Sequence, residues 1–178
     1  MRKSVIFFSL SGQPLQIYDD MGAAGVGADA ITYSAMISAC EKGKQWEKAL
    51  EVLSAMLGAG LKANAITYGS VLSACEKAGQ WEKALEVLSA MRGARVEDSA
   101  GAHNIALSAC EKAGQWEKAL EVLDAMRGAG VEANAATFSC VLRACEKAGQ
   151  WGKALSVLDA MRGAGLEPEG EGLTTLLR

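Results

Sequence analysis

Apolar residues recur along this chain in two alternating stripes. Tyr33, Met36, Ile37 and Cys40 have the i, i+3, i+4, i+7 spacing of one helical face, which predicts a helix over about Ala30–Lys42. Trp46, Ala49, Leu50, Leu53 and Met56 form the second stripe, with Glu47, Lys48 and Glu51 on the other side, and predict a helix over about 45–58. The pattern then restarts. Cys40, Cys75, Cys110 and Cys145 are spaced 35 residues apart, as are Trp46, Trp81, Trp116 and Trp151, and Met56, Met91, Met126 and Met161. The stretch SACEKAGQWEKALEVL at 73–88 recurs letter for letter at 108–123. A fixed period in this range marks stacked supersecondary units. The expected fold is all-α: an α-solenoid of antiparallel helical hairpins, with units at 30–64, 65–99, 100–134 and 135–169.

The residues between stripes fit that division. Asp29, Asn64, Ser99 and Asn134 precede the first helix of each unit, and each can cap it by accepting from first-turn N–H groups. Gly79, Gly114 and Gly149 follow the first helices, and Gly60, Gly130 and Gly165 the second; all suit the left-handed residue that ends a helix. Arg95 takes that place after the second helix of unit two, where strain or another turn is expected. A lone hairpin leaves its stripe exposed, so neighbours must stack to bury it. The tryptophans, each able to bury roughly 150–250 Å², are expected to pack at unit interfaces.

At offset 35, Leu15, Ile17, Tyr18 and Met21 match Leu50, Val52, Leu53 and Met56. Residues 1–29 therefore read as a degenerate partial unit, which accounts for the apolar run Val5-Ile6-Phe7-Phe8 without a targeting signal. Residues 170–178 read as the start of a further first helix.

Composition narrows the chemistry. Ala, Leu, Glu and Lys favour helix; the net charge of -3 offers no strong electrostatic attraction for nucleic acid. Apolar runs are too short for a membrane span. Five cysteines are a poor start for a disulfide framework. The four in register lie one per unit on a buried stripe, roughly 10 Å apart at helix spacing and beyond disulfide reach, so they read as small core residues. His103, the one histidine, stands where other units have Tyr33, Tyr68 and Phe138 and reads as a packing residue. Neither a nucleophile–base pair, a zinc ligand set nor a phosphate loop emerges. No enzyme activity, cofactor or small-molecule substrate is expected.

The stretches ITYSAMISAC at 31–40 and EKALEVLSAM at 47–56, with Ile66-Thr67-Tyr68 and Ala136-Thr137-Phe138 repeating the opening, resemble the pentatricopeptide repeat over residues 30–169. The resemblance implies a right-handed superhelix that binds single-stranded RNA, one base per unit. It implies that the second residue of each unit (Ile31, Ile66, Gly101, Ala136) packs on base faces. The fifth and last residues would then read base edges, pairing Ser34 with Asn64, Gly69 with Ser99, Asn104 with Asn134, and Ser139 with Glu169. Lys42, Lys77, Lys112 and Lys147 would meet phosphates, and chloroplast or mitochondrial RNA processing would be the setting.

Local physics explains the same residues differently. Asn64, Ser99 and Asn134 serve as helix caps, and the lysines suit the negative end of a helix. A protein-interaction solenoid with no RNA ligand is therefore the alternative.

Overall fold

A computed structural model describes residues 29–96 and 100–167, which form eight 13-residue α-helices in four hairpins. The first helices of the units are α1 (Ala30–Lys42), α3 (Ala65–Lys77), α5 (Ala100–Lys112) and α7 (Ala135–Lys147). The second helices are α2 (Trp46–Gly58), α4 (Trp81–Gly93), α6 (Trp116–Gly128) and α8 (Trp151–Gly163). The expected degenerate unit at 1–29, but for Asp29, and the expected terminal helix at 170–178 lie outside the described residues.

Caps and turns set the helix ends. Asp29, Asn64 and Asn134 each accept from the backbone N–H three residues on; Ser99 lies outside the described residues. After α3, the N–H of Gln80 donates to the carbonyl of Cys75 at 2.9 Å and that of Gly79 to Glu76 at 3.1 Å. This is the paired closure that requires a left-handed residue, and Gly79 supplies it at φ 72°. Arg95 makes the same closure at φ 54°, with Val96 donating to Met91 and Arg95 to Arg92. The same turn is thus kept at the expense of strain. Lys44 does likewise at φ 54°, because unit one carries its glycine one residue early, at Gly43.

The two helix layers pack differently. Each first helix lies against its own second helix and against the first helices of adjacent units, whereas second helices meet the next unit chiefly through its first helix. The first helices therefore form a continuous inner layer and the second helices splay apart, which curves the array with the first helices on its concave side. Between α6 and α8 the splay leaves an open groove of about 240 Å³ lined by Leu120, Leu123, Val157 and Ala160.

Small side chains permit the close inner packing. Ala74, Ala109 and Ala144 are fully buried, as are Cys40, Cys75, Cys110 and Cys145. Burial raises all five thiols, Cys75 and Cys110 to about 11. His103 is buried too. The buried arc of the second helices is wider than the single stripe expected. Val52, Val87, Val122 and Val157 join it; two first helices press on each of α2, α4 and α6. Trp46, Trp81 and Trp116 lie half-buried at its edge, and Trp151, in the last hairpin, is 51% exposed. No helix among the described residues is long and apolar enough to cross a membrane.

Candidate nucleic-acid interface

The concave face is built from the outward positions of the inner layer, and the four units differ most there. The second helices begin Trp-Glu-Lys-Ala-Leu-Glu-Val-Leu in the first three units, with two changes in the fourth, while the first turns of α1, α3, α5 and α7 read AITYS, AITYG, AGAHN and AATFS.

At the second position, Ile31 and Ile66 are 78% and 74% exposed. Nothing in the core accounts for two isoleucines standing in solvent, and they flank the first reading pair. Gly101 and Ala136 occupy the same place later in the array, exposed but too small to cover much of a base.

The structure brings two of the reading pairs together. Ser34 Oγ lies 2.9 Å from Thr67 Oγ1, and Thr67 donates through both N–H and O–H to Asn64 Oδ1, each at 2.9 Å. Asn104 Nδ2 donates directly to Asn134 Oδ1 at 3.3 Å, and Thr137 Oγ1 donates to Asn104 Oδ1 at 2.7 Å. Asn64 and Asn134 cap their helices through Oδ1, and the Asn134 Oδ1 also accepts from Asn104. Gly69 offers no side chain, although a Cβ there would meet nothing within 4 Å. Ser139 is half-buried on α7. Ser99 and Glu169, its counterpart in unit four, lie outside the described residues.

The lysines lie at the opposite end of the same helices, and each of three pairs with the unit before it. Lys77 donates to Glu41 at 2.8 Å, Lys112 to Glu76, and Lys147 to Glu111 at 3.0 Å. The partner lies one unit away: Glu41, next to Lys42 in the chain, binds Lys77. Arg143 joins Glu111 at 3.1 Å, and Ser73 and Ser108 donate to Glu41 and Glu76 at 2.9 Å. Burial works to raise the Glu41 and Glu111 carboxyls, but their combined hydrogen bonds and cationic neighbours hold both below the ordinary value. Lys77, Lys112 and Lys147 remain 40–54% exposed, so each can also face a phosphate, with its charge already partly matched. Lys42 makes no ion pair among the described residues.

Sequence reasoning missed Thr67, Thr137 and Arg143, and that the glutamates bind lysines of the next unit. A signal existed for the glutamates, since Glu41, Glu76, Glu111 and Glu146 share the period of the lysines one residue later. Nothing in one unit shows that the pair closes across units.

The family profile described as "Pentacotripeptide-repeat region of PRORP" matches residues 8–135, well over half of the chain. The chain belongs to the pentatricopeptide repeat family. A second profile, "Pentatricopeptide repeat-containing protein", matches residues 101–178 of this pentatricopeptide repeat chain. Among solved structures, the maize pentatricopeptide repeat protein PPR10 is similar at 30% identity, with TM-score 0.67 over 87% of this chain and 22% of that one. The pentatricopeptide repeat domain of Arabidopsis thaliana protein-only RNase P 1, solved in complex with tRNA, matches at 15% identity and TM-score 0.76, over 93% of this chain and 86% of that one. Nuclear proteinaceous RNase P 2 from A. thaliana matches at 18% identity and TM-score 0.79, over 92% and 37%. The last two likenesses carry the α-solenoid fold alone. The chain spans about a fifth of the PPR10 chain it matches. No curated protein matches it in sequence.

Proposed function

We propose that this pentatricopeptide repeat array is a scaffold that binds single-stranded RNA along its concave face and performs no chemistry on it. The observation that carries this reading is the first slot: Ile31 and Ile66, both in solvent, flank Ser34 and Asn64, which the Thr67 hydroxyl joins into one hydrogen-bonded set. Aliphatic faces pack on a base while an amide and a hydroxyl address its edge, and both contacts need an unstacked, single-stranded base. PPR10 solved in complex with an 18-nt psaJ RNA element supports the same reading. With few unmatched cations on the face, binding draws on base contacts more than on phosphate attraction. Action on chloroplast or mitochondrial transcripts is part of the proposal, and a fluorescent fusion checks it.

The deciding experiment titrates the folded chain with short single-stranded RNAs at several salt concentrations. Micromolar or tighter binding is expected. Because three lysines are already paired, affinity should fall with salt less steeply than four free phosphate contacts would give. Ser34→Ala and Asn104→Ala should weaken binding without altering the melt. A folded chain that binds no RNA would leave protein interaction as the role of this solenoid.

A further inference from the structure

We propose that Thr67 and Thr137 are positioning residues that set which atoms the reading pairs turn toward RNA, an inference resting on the RNA-binding reading above. The argument follows the protons. The backbone N–H of Thr67 donates to the Asn64 amide at 2.9 Å. Only the amide oxygen can accept, so Oδ1 faces the helix and Nδ2 faces away. The Thr67 hydroxyl donates to the same Oδ1 at 2.9 Å, which engages its one proton. The 2.9 Å contact with Ser34 must then run from Ser34 to Thr67. Every hydroxyl in this chain of three is thus oriented. Asn64 is left presenting N–H donors and Ser34 lone pairs, so the first slot offers a donor beside an acceptor.

The third unit uses the same threonine with a different outcome. Thr137 accepts from the Asn134 N–H at 3.2 Å, and its own N–H donates to Asn134 Oδ1 at 3.0 Å, again turning Nδ2 outward. Its hydroxyl proton lies between Asn104 Oδ1 at 2.7 Å and Asn134 Oδ1 at 3.0 Å. Asn104 is thereby held with its oxygen inward and one N–H on Asn134 at 3.3 Å, leaving its other N–H to the groove. This slot offers donors from both residues. Both threonines are buried, at 1% and 0% exposure, so they act through the pair without touching RNA. The chain contains its own control. Where the fifth residue is Gly69 and has nothing to orient, the equivalent of Thr67 is Ala102.

The test is selection from a random pool of 8-nt single-stranded RNAs by the whole chain, sequenced after binding. Wild type should discriminate at two positions separated by one tolerant position. Thr67→Val, which keeps the shape and removes the hydroxyl, should lose about fivefold of discrimination at one of them, the worth of one net hydrogen bond. Affinity for the pool as a whole should hold within about twofold. Thr137→Val should do the same at the other position, and Thr67→Ser should restore wild-type discrimination. Gly69→Asn combined with Ala102→Thr should add a third discriminating position, which Gly69→Asn alone should not; this construction also covers a valine variant that fails to fold. Unchanged discrimination in the valine variants, or no gain from adding Ala102→Thr, overturns the proposal while leaving RNA binding in place. Wild type that binds without base preference does the same. A folded wild type that enriches no RNA overturns the RNA reading and this inference with it.

Discussion

The two helix layers carry the same hydrophobic pattern but serve different ends. The second helices are nearly identical from unit to unit and pack chiefly on first helices. The first helices pack on one another, carry the polar bonds between units, and vary where they face the groove. Uniformity in the outer layer keeps the unit geometry constant. Variation in the inner layer then changes surface chemistry without moving the backbone, because Ser34, Gly69, Asn104 and Ser139 all stand on the same helical turn of the same frame. In a quasi-one-dimensional array, where each unit contacts only its neighbours, such a division lets a slot be altered with little effect two units away.

The strongest way to break this comparison is to truncate one leucine in each layer. Leu107→Ala, in the fully buried middle of α5, should cost roughly 2–5 kcal/mol. Leu155→Ala, on α8 and 46% exposed, should cost under about 1 kcal/mol. Denaturant melts of both variants decide; equal losses would mean that the outer layer is as tightly held as the inner.

Alkaline pH should strain the inner layer next. Cys75 and Cys110 ionise near 9.0 when unfolded but only at about 11 when buried. Their raised values add stability that is complete below pH 9 and is lost as pH rises toward 11, by roughly 1–3 kcal/mol per thiol. Melts of Cys75→Ala, Cys110→Ala and the wild type across that window should show the slope shrinking in the variants.

Arg95→Gly probes a turn of the outer layer. Removing the side chain from a left-handed residue at φ 54° should stabilise the chain by about 1 kcal/mol, raising Tm by about 2–4 °C for a chain of this size. An unchanged or lowered Tm would show that the neighbouring units absorb the strain.

The smallest effect concerns the ladder between first helices. Glu41 and Glu111 titrate below the ordinary 4.5, so their bonds stabilise the fold above that pH and lose it as pH falls through their lower folded values. Glu111→Gln should flatten the acid limb of a stability–pH curve and cost no more than about 1 kcal/mol at neutral pH.

Much of this molecule was legible before folding was considered. The bounds of the first helices follow from the stripe through Tyr33 and Cys40 and from caps such as Asn64. Gly79 and Gly114 foretold their turns because a residue's own backbone preference is local. Legibility ended where a partner lies one unit away. Trp46 looked like a core anchor but reaches only the edge of a splayed layer. Val52 lies off the stripe through Trp46 and Met56 but is buried, because the next first helix packs on α2. Lys77 looked like a cation matched within its own helix end, yet Glu41, 36 residues back, holds it.

The sequence by itself determined the period, the hairpin unit and the helix ends, because periodicity, capping and turn geometry act within a few residues. Only the tertiary structure decided that first helices form the shared concave layer, that the lysines are matched across units, and that Thr67 and Thr137 direct the amides beside them. Those outcomes depend on distances between units, and no spacing along the chain encodes a distance across a packed interface.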